Sequence, residues 1–77
     1  MQDWRAIVGV NIRRRRLELG FTQEQVALEA EIDLTYMGGI ERGRRNPSLL
    51  VLVRVAKVLK VMPADLLQAT SDEESWL

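Results

Sequence analysis

TQEQVALEAEIDLTYMGGIERG, residues 22–43, decides the fold. Thr22 and Asp33 each stand before a stretch of helical apolar spacing, where a side-chain oxygen accepts a backbone N–H of the first turn. After Thr22, the residues Val26, Ala27 and Ala30 share one helix face; after Asp33, Met37 and Ile40 do the same, and Gly43 stops the second helix. The stretch therefore reads as two short helices joined by a tight turn. Upstream, a first helix is expected from Asp3 or Trp4 to Leu19, with Val8, Ile12 and Leu19 on its inner stripe and Gly20 ending it in a left-handed conformation. Downstream, the loop Arg44-Arg45-Asn46-Pro47 leads to Ser48 as the cap of a fourth helix, whose core stripe is Leu49, Leu52, Val55, Ala56 and Leu59. Pro63 suits the first turn of a short fifth helix ending at Leu67. The expected fold is all-α: a five-helix domain over residues 1–69, followed by an acidic flexible tail over residues 70–77 in which Trp76 is available to dock.

Seventy-seven residues make one domain near the small end of what folds alone, so a partner subunit would help. With neither Cys nor His in the chain, disulfides and the usual zinc ligands are excluded, and no cofactor is expected. The longest strongly apolar run, Leu49 to Val53, is too short to span a bilayer, and the N-terminal stretch lacks the uninterrupted apolar segment of a signal peptide. A soluble cytoplasmic protein without membrane association is expected. The net charge of zero conceals an asymmetry: residues 1–61 carry eleven Lys and Arg against seven acids, whereas residues 62–77 carry four acids and no base. Cations gather at Arg13 to Arg16 and again at Arg42, Arg44 and Arg45. Each cluster taken alone is as compatible with a solvated face as with a phosphate contact.

Two helices at this spacing form the layout of a helix-turn-helix, whose second helix can enter the major groove of DNA. Residues from about Val8 to Leu67 resemble the Xre/Cro-like, phage-repressor type of that motif. The resemblance is carried by Asn11-Ile12-Arg13, Gly20-Phe21-Thr22-Gln23, Ile40-Glu41-Arg42-Gly43, Asn46-Pro47-Ser48 and Val55-Ala56-Lys57. Asp33-Leu34-Thr35-Tyr36 followed by Gly39 to Gly43 is most similar to the controller proteins of restriction–modification systems. The chain departs from its relatives in carrying Arg15 on the inner stripe of helix one, where its methylenes can run along the core while the charge reaches water. It departs again at Glu31, in a turn where relatives use Gly; a left-handed conformation there costs a non-glycine residue roughly 1–2 kcal/mol.

The resemblance implies roles for named residues. Gln23, at the positive end of helix two, would hold a phosphate. Arg16 and Glu41 match a structural ion pair that fixes the angle of the third helix, which makes Glu41 a brace and not a catalytic acid. Leu34, Thr35, Tyr36, Gly38 and Gly39 would face the bases. Thr35 and Tyr36 offer hydroxyls and Leu34 offers apolar contact only; the two glycines, at a helix-propensity cost of roughly 1 kcal/mol each, either let backbone approach the duplex, the preferred reading, or merely loosen the helix. Controllers commonly carry arginine at the Leu34 position, so their operator preference does not transfer. With few side chains left to read bases, a dependence on DNA shape is expected. Arg42, Arg44, Arg45 and Asn46 would run along the phosphates.

Helix four is apolar beyond its core stripe: Val51 and Val53 suit the margin of the core, while Leu50 and Val58 are expected to point outward. With Met62 they suggest a dimer interface over Leu50, Val53, Val58 and Met62, which would hold two reading helices about one DNA turn, ~34 Å, apart. These features point to a homodimeric regulator, a repressor or activator of transcription, acting on an inverted repeat in double-stranded DNA. An alternative is an antitoxin-like protein that binds a partner toxin through helix four and the acidic tail and autoregulates its operon. Enzyme function is not expected, because no nucleophile–base pair or phosphate-binding glycine loop is present.

Overall fold

The computed structural model describes residues 3–69. Its α-helices are α1 (Trp4–Glu18), α2 (Gln23–Ala30), α3 (Leu34–Glu41) and α4 (Leu49–Val58), followed by a 3-10 turn over Pro63–Leu67. Every α-helix opens on a side-chain cap. Asp3 accepts from the Arg5 N–H at 3.0 Å, Asp33 from the Thr35 N–H at 2.8 Å, and Ser48 from the Val51 N–H at 3.2 Å. Thr22 goes further: its Oγ1 accepts the Gln25 N–H at 3.0 Å while the Gln25 side chain accepts the Thr22 N–H at 2.7 Å, so two otherwise unpaired donors are satisfied reciprocally.

The helix ends explain the tight connections. Gly20 has φ +73°, and the turn it makes lets the Phe21 N–H reach the Arg16 carbonyl at 3.1 Å. Glu31 closes α2 in the left-handed region at φ 59°, ψ 46°, as the resemblance implied. Lys60 adopts φ 59° after α4, a left-handed position that the side-chain pattern gave no reason to expect. Two arginines supply further closure from a distance. Arg54 of α4 donates to the Ala30 carbonyl at 2.9 Å, and Arg15 of α1 donates to the Leu59 carbonyl at 2.9 Å. Cations are favoured at these negative helix ends. Arg15 thus occupies an apolar-stripe position because its guanidinium binds the end of a neighbouring helix.

The core gathers Val8, Ile12, Val26, Ala27, Ala30, Met37, Ile40, Leu52, Val55, Ala56, Leu59 and Leu66, all buried. α1 packs on α3 and on the 3-10 turn, α2 on α3 and α4, and α4 on the 3-10 turn. Gly9 makes the α1–α3 approach possible. A Cβ there would lie 2.5 Å from the Ile40 carbonyl oxygen and 2.6 Å from that of Glu41. Asn11, buried on the same helix, donates through Nδ2 to the carbonyls of Leu66 and Gln68, both at 2.9 Å, and so ties the last described segment to α1.

Four expectations are corrected. The expected fifth helix is a 3-10 turn, in which the Asp65 N–H bonds the Met62 carbonyl at 2.9 Å; five residues are too few for a cooperative α-helix, and the tighter winding brings Leu66 into the core. Leu49 does not join the core stripe. It opens α4 ahead of the packed residues Leu52, Val55, Ala56 and Leu59 and is 70% exposed. Val58 does not point freely outward but is half-buried against the core, whereas Val53, placed at the core margin by its spacing, is exposed. Trp76 and the tail from residue 70 onward lie outside the described residues.

Candidate nucleic-acid interface

The surface built by α3 and its flanks begins with a buried brace. Arg16 of α1 meets Glu41 at the end of α3 with Nε–Oε2 2.6 Å and Nη2–Oε1 3.0 Å, and its third nitrogen donates to the Phe21 carbonyl at 2.9 Å. Both side chains are nearly excluded from solvent, at 10% and 3% exposure. Every guanidinium nitrogen is therefore matched, which is the condition under which a buried pair holds its geometry. Removing one partner strands the other charge, at a cost of roughly 3–5 kcal/mol. The pair locks the angle between α1 and α3.

Gln23 enters the same network: its Nε2 donates to Glu41 Oε1 at 3.0 Å. A phosphate ligand was expected at this position, and in the free chain its amide is held by the brace. The other amide hydrogen and the opening N–H groups of α2 remain at the positive helix end.

On α3, Leu34 and Thr35 are exposed at the first turn, and Tyr36 is half-buried with its ring packed against the core. The Arg45 guanidinium lies over that ring, 5.8 Å from its centroid, within cation–π range. Gly38 and Gly39 are buried, contrary to a bare reading surface. A Cβ on Gly39 would sit 2.7 Å from Arg45 Cγ, and one on Gly38 would sit 3.0 Å from Arg42 Nη1. The glycines form a notch along α3, and the two arginines lie in it. Arg42, Arg44, Arg45 and Asn46 are themselves exposed, in the loop that leaves α3 through Gly43 at φ +73°. Gly43 also lets that loop pass close to α1, since a Cβ there would meet Ala6 Cα at 3.0 Å.

Gln23, Tyr36, Arg42 and Arg45 thus lie together along α3 beside the brace. Leu50, Val53 and Met62 are exposed, at 69%, 41% and 69%. Sequence spacing missed Gly9, Arg54 and the notch function of the glycines. A mid-helix glycine between two valines was a usable signal for a close helix approach.

Residues 12–66 match the family model described as helix-turn-helix. The chain belongs to that family. It is 39% identical over 70 residues to the uncharacterized HTH-type transcriptional regulator y4dJ of Sinorhizobium fredii, with 91% of each chain covered. It is 40% identical over 68 residues to the control protein C.BamHI of Bacillus amyloliquefaciens, covering 87% of this chain and 84% of that one. Among solved structures, the controller C.Esp1396I bound to a 25 base pair operator site superposes with a TM-score of 0.74 at 36% identity, covering 82% of this chain and 83% of that chain. Similarity to the helix-turn-helix controllers thus extends through α4 as well as the two helices of the motif.

Proposed function

We propose that the chain is a sequence-specific regulator of transcription that binds an inverted-repeat operator in double-stranded DNA as a cytoplasmic homodimer. The observation that carries this reading is the capped, exposed first turn of α3, held at a fixed angle by the buried Arg16–Glu41 pair in a member of the helix-turn-helix family. Thr35 and Tyr36 are the side chains with base-reading chemistry, and Leu34 contributes apolar contact. Arg42, Arg44, Arg45, Asn46 and Gln23 are assigned to the phosphates on either side. The match to a solved controller on its operator supports a role as a restriction–modification controller, acting on its own promoter as repressor or activator according to where the operator lies.

Exposed Leu50, Val53 and Met62, flanked by half-buried Val58, form the apolar surface assigned to dimerisation. A two-fold contact there is isologous, so operator half-sites related by inversion follow from it. Selection of bound duplexes from a random pool tests the whole reading. An inverted repeat with half-site centres about one turn, ~10 base pairs, apart is expected. Recovery of unrelated sequences at low ionic strength would refute sequence-specific binding, and a monomer by sedimentation, with and without the selected duplex, would refute the dimer.

A further inference from the structure

The outer face of α1 carries a feature that the interface does not use. Val10 and Leu17 are 52% and 54% exposed, one above the other at helical spacing, and with Arg13, Arg14, Glu18 and Glu41 they line a shallow groove of about 550 Å³. Its two carboxylates are already engaged: Glu41 with Arg16 at 2.6 Å, and Glu18 with Arg15 at 3.6 Å. Arg14 donates to the Asn11 side-chain oxygen at 2.7 Å and has no carboxylate partner among the described residues; Arg13 has neither a hydrogen bond nor an ion pair among them. The groove is an apolar floor beside two cations in want of acid.

The chain leaves the described structure beside this groove. Asn11 binds the Gln68 carbonyl, and a second depression, lined by Arg14, Glu18, Leu66 and Gln68 among others, adjoins the first across Arg14 and Glu18. Residues 70–77, TSDEESWL, follow directly, with three consecutive acids at Asp72, Glu73 and Glu74 and then Trp76 and Leu77. Eight extended residues reach about 26 Å. The span from Asn11 to Leu17 along α1 is only about 9 Å. A segment tethered there needs no encounter from solution, and its effective concentration at the groove is in the millimolar range typical of short linkers.

We propose that residues 70–77 dock intramolecularly on the outer face of α1, with Asp72, Glu73 and Glu74 on Arg13 and Arg14 and with Trp76 on Val10 and Leu17. The docked segment brings negative charge beside Glu41 and Gln23, at the phosphate side of the proposed interface. It therefore competes with DNA by like-charge repulsion, and it does so more at low salt. This effect on DNA rests on the function proposed above; the docking itself does not.

The absence of cysteine makes the test direct. A nitroxide is attached to Ser75→Cys in the full chain, and broadening of methyl and amide resonances is mapped. Selective broadening of the Val10 and Leu17 methyls is expected, relieved by the tail variant Asp72→Asn/Glu73→Gln/Glu74→Gln and by Arg13→Gln/Arg14→Gln. Equal broadening with the charged and the neutral tail overturns the proposal. So does broadening that appears only on an isotope-labelled chain mixed with a spin-labelled one, which places the tail on a second copy. The same neutral-tail variant is expected to bind DNA severalfold more tightly at low ionic strength, the gain vanishing in high salt. Unchanged affinity with a relieved contact refutes the competition, whereas failure of both chains to bind any duplex refutes the DNA-binding reading and leaves the docking result standing.

Discussion

Two glycine-to-alanine substitutions are expected to act in opposite directions, and the reason lies in which atoms a new methyl group meets. At Gly9 the added Cβ would lie 2.5 and 2.6 Å from two backbone carbonyl oxygens at the end of α3. Neither oxygen can turn away without moving the helix. Overpacking costs about 1–3 kcal/mol, and two immobile contacts put this site at the upper end of that range. Replacing glycine within a helix returns roughly 1 kcal/mol of propensity. The balance is a loss of about 2 kcal/mol, which in a domain of this size lowers Tm by roughly 8–16 °C. At Gly38 the Cβ would meet Arg42 Nη1 at 3.0 Å and Gln23 Oε1 at 3.5 Å, the far ends of two side chains. The exposed Arg42 swings aside, propensity wins, and stability rises by about 0.5–1 kcal/mol. Urea and thermal unfolding at one fixed protein concentration measure both, the concentration being held because dimerisation would couple it to stability. A Gly9→Ala chain as stable as its parent, or shifts of the same sign at both positions, would refute the reasoning about the α1–α3 approach.

Glu31→Gly keeps the left-handed conformation at φ 59° but relieves the steric cost a Cβ pays there, and is expected to stabilise by about 1 kcal/mol after the added freedom of the unfolded chain is subtracted; Lys60→Gly, also at φ 59°, should do the same in urea titrations. Arg16→Met or Glu41→Leu alone should cost roughly 3–5 kcal/mol, while the double variant recovers most of that loss, and a cycle lacking such coupling would show that the pair does not act as a unit. Arg44→Ala and Arg45→Ala are each expected to reduce the slope of log affinity against log salt by about 0.9, and unchanged slopes would remove these residues from the phosphate contacts. The Asp3 carboxyl is held below the usual aspartate range chiefly by its hydrogen bond to the Arg5 side chain, so its contribution to the α1 cap is complete above the unfolded value near ~3.9 and is lost as pH falls through the lower folded value. The stability difference between the parent and Asp3→Asn should therefore shrink on acidification below about pH 4, as followed by circular dichroism.

The helix starts were legible because a cap is a local device. Thr22, Asp33 and Ser48 each signal through one side chain and the N–H groups two or three residues later. Apolar period located the central core for the same reason. Long-range partners were less accessible: nothing in the spacing of Arg54 or Arg15 announces that each binds the carbonyl end of another helix. Leu49 shows the limit of periodicity, since a residue in phase with the core stripe still reaches solvent where the helix begins ahead of its neighbours. The glycines of α3 show a different limit. Their lack of side chains suggested a bare surface, but bare backbone also invites other side chains, and Arg42 and Arg45 lie over it.

That arrangement divides the proposed interface into a rigid part and an adaptable part. Gln23 is fixed by Glu41, which is fixed by Arg16, so the start of α2 and the end of α3 share one buried network and keep their spacing before any ligand arrives. Such preorganisation lowers the ordering cost of binding. Arg45 instead rests on Tyr36, an exposed cation–π contact of about 0.5–1 kcal/mol. A hydrogen bond to a charged group contributes about 1.5–3 kcal/mol, so in the phosphate role proposed for it Arg45 would exchange the ring for the stronger contact and leave the Tyr36 face open. The exchange has a separable signature. Tyr36→Phe keeps the ring that seats Arg45 but removes a hydroxyl, and should reduce discrimination between operator and random duplex with little change in salt slope. Arg45→Ala should do the reverse, and identical effects of the two substitutions would show that the rigid and adaptable parts are not distinct.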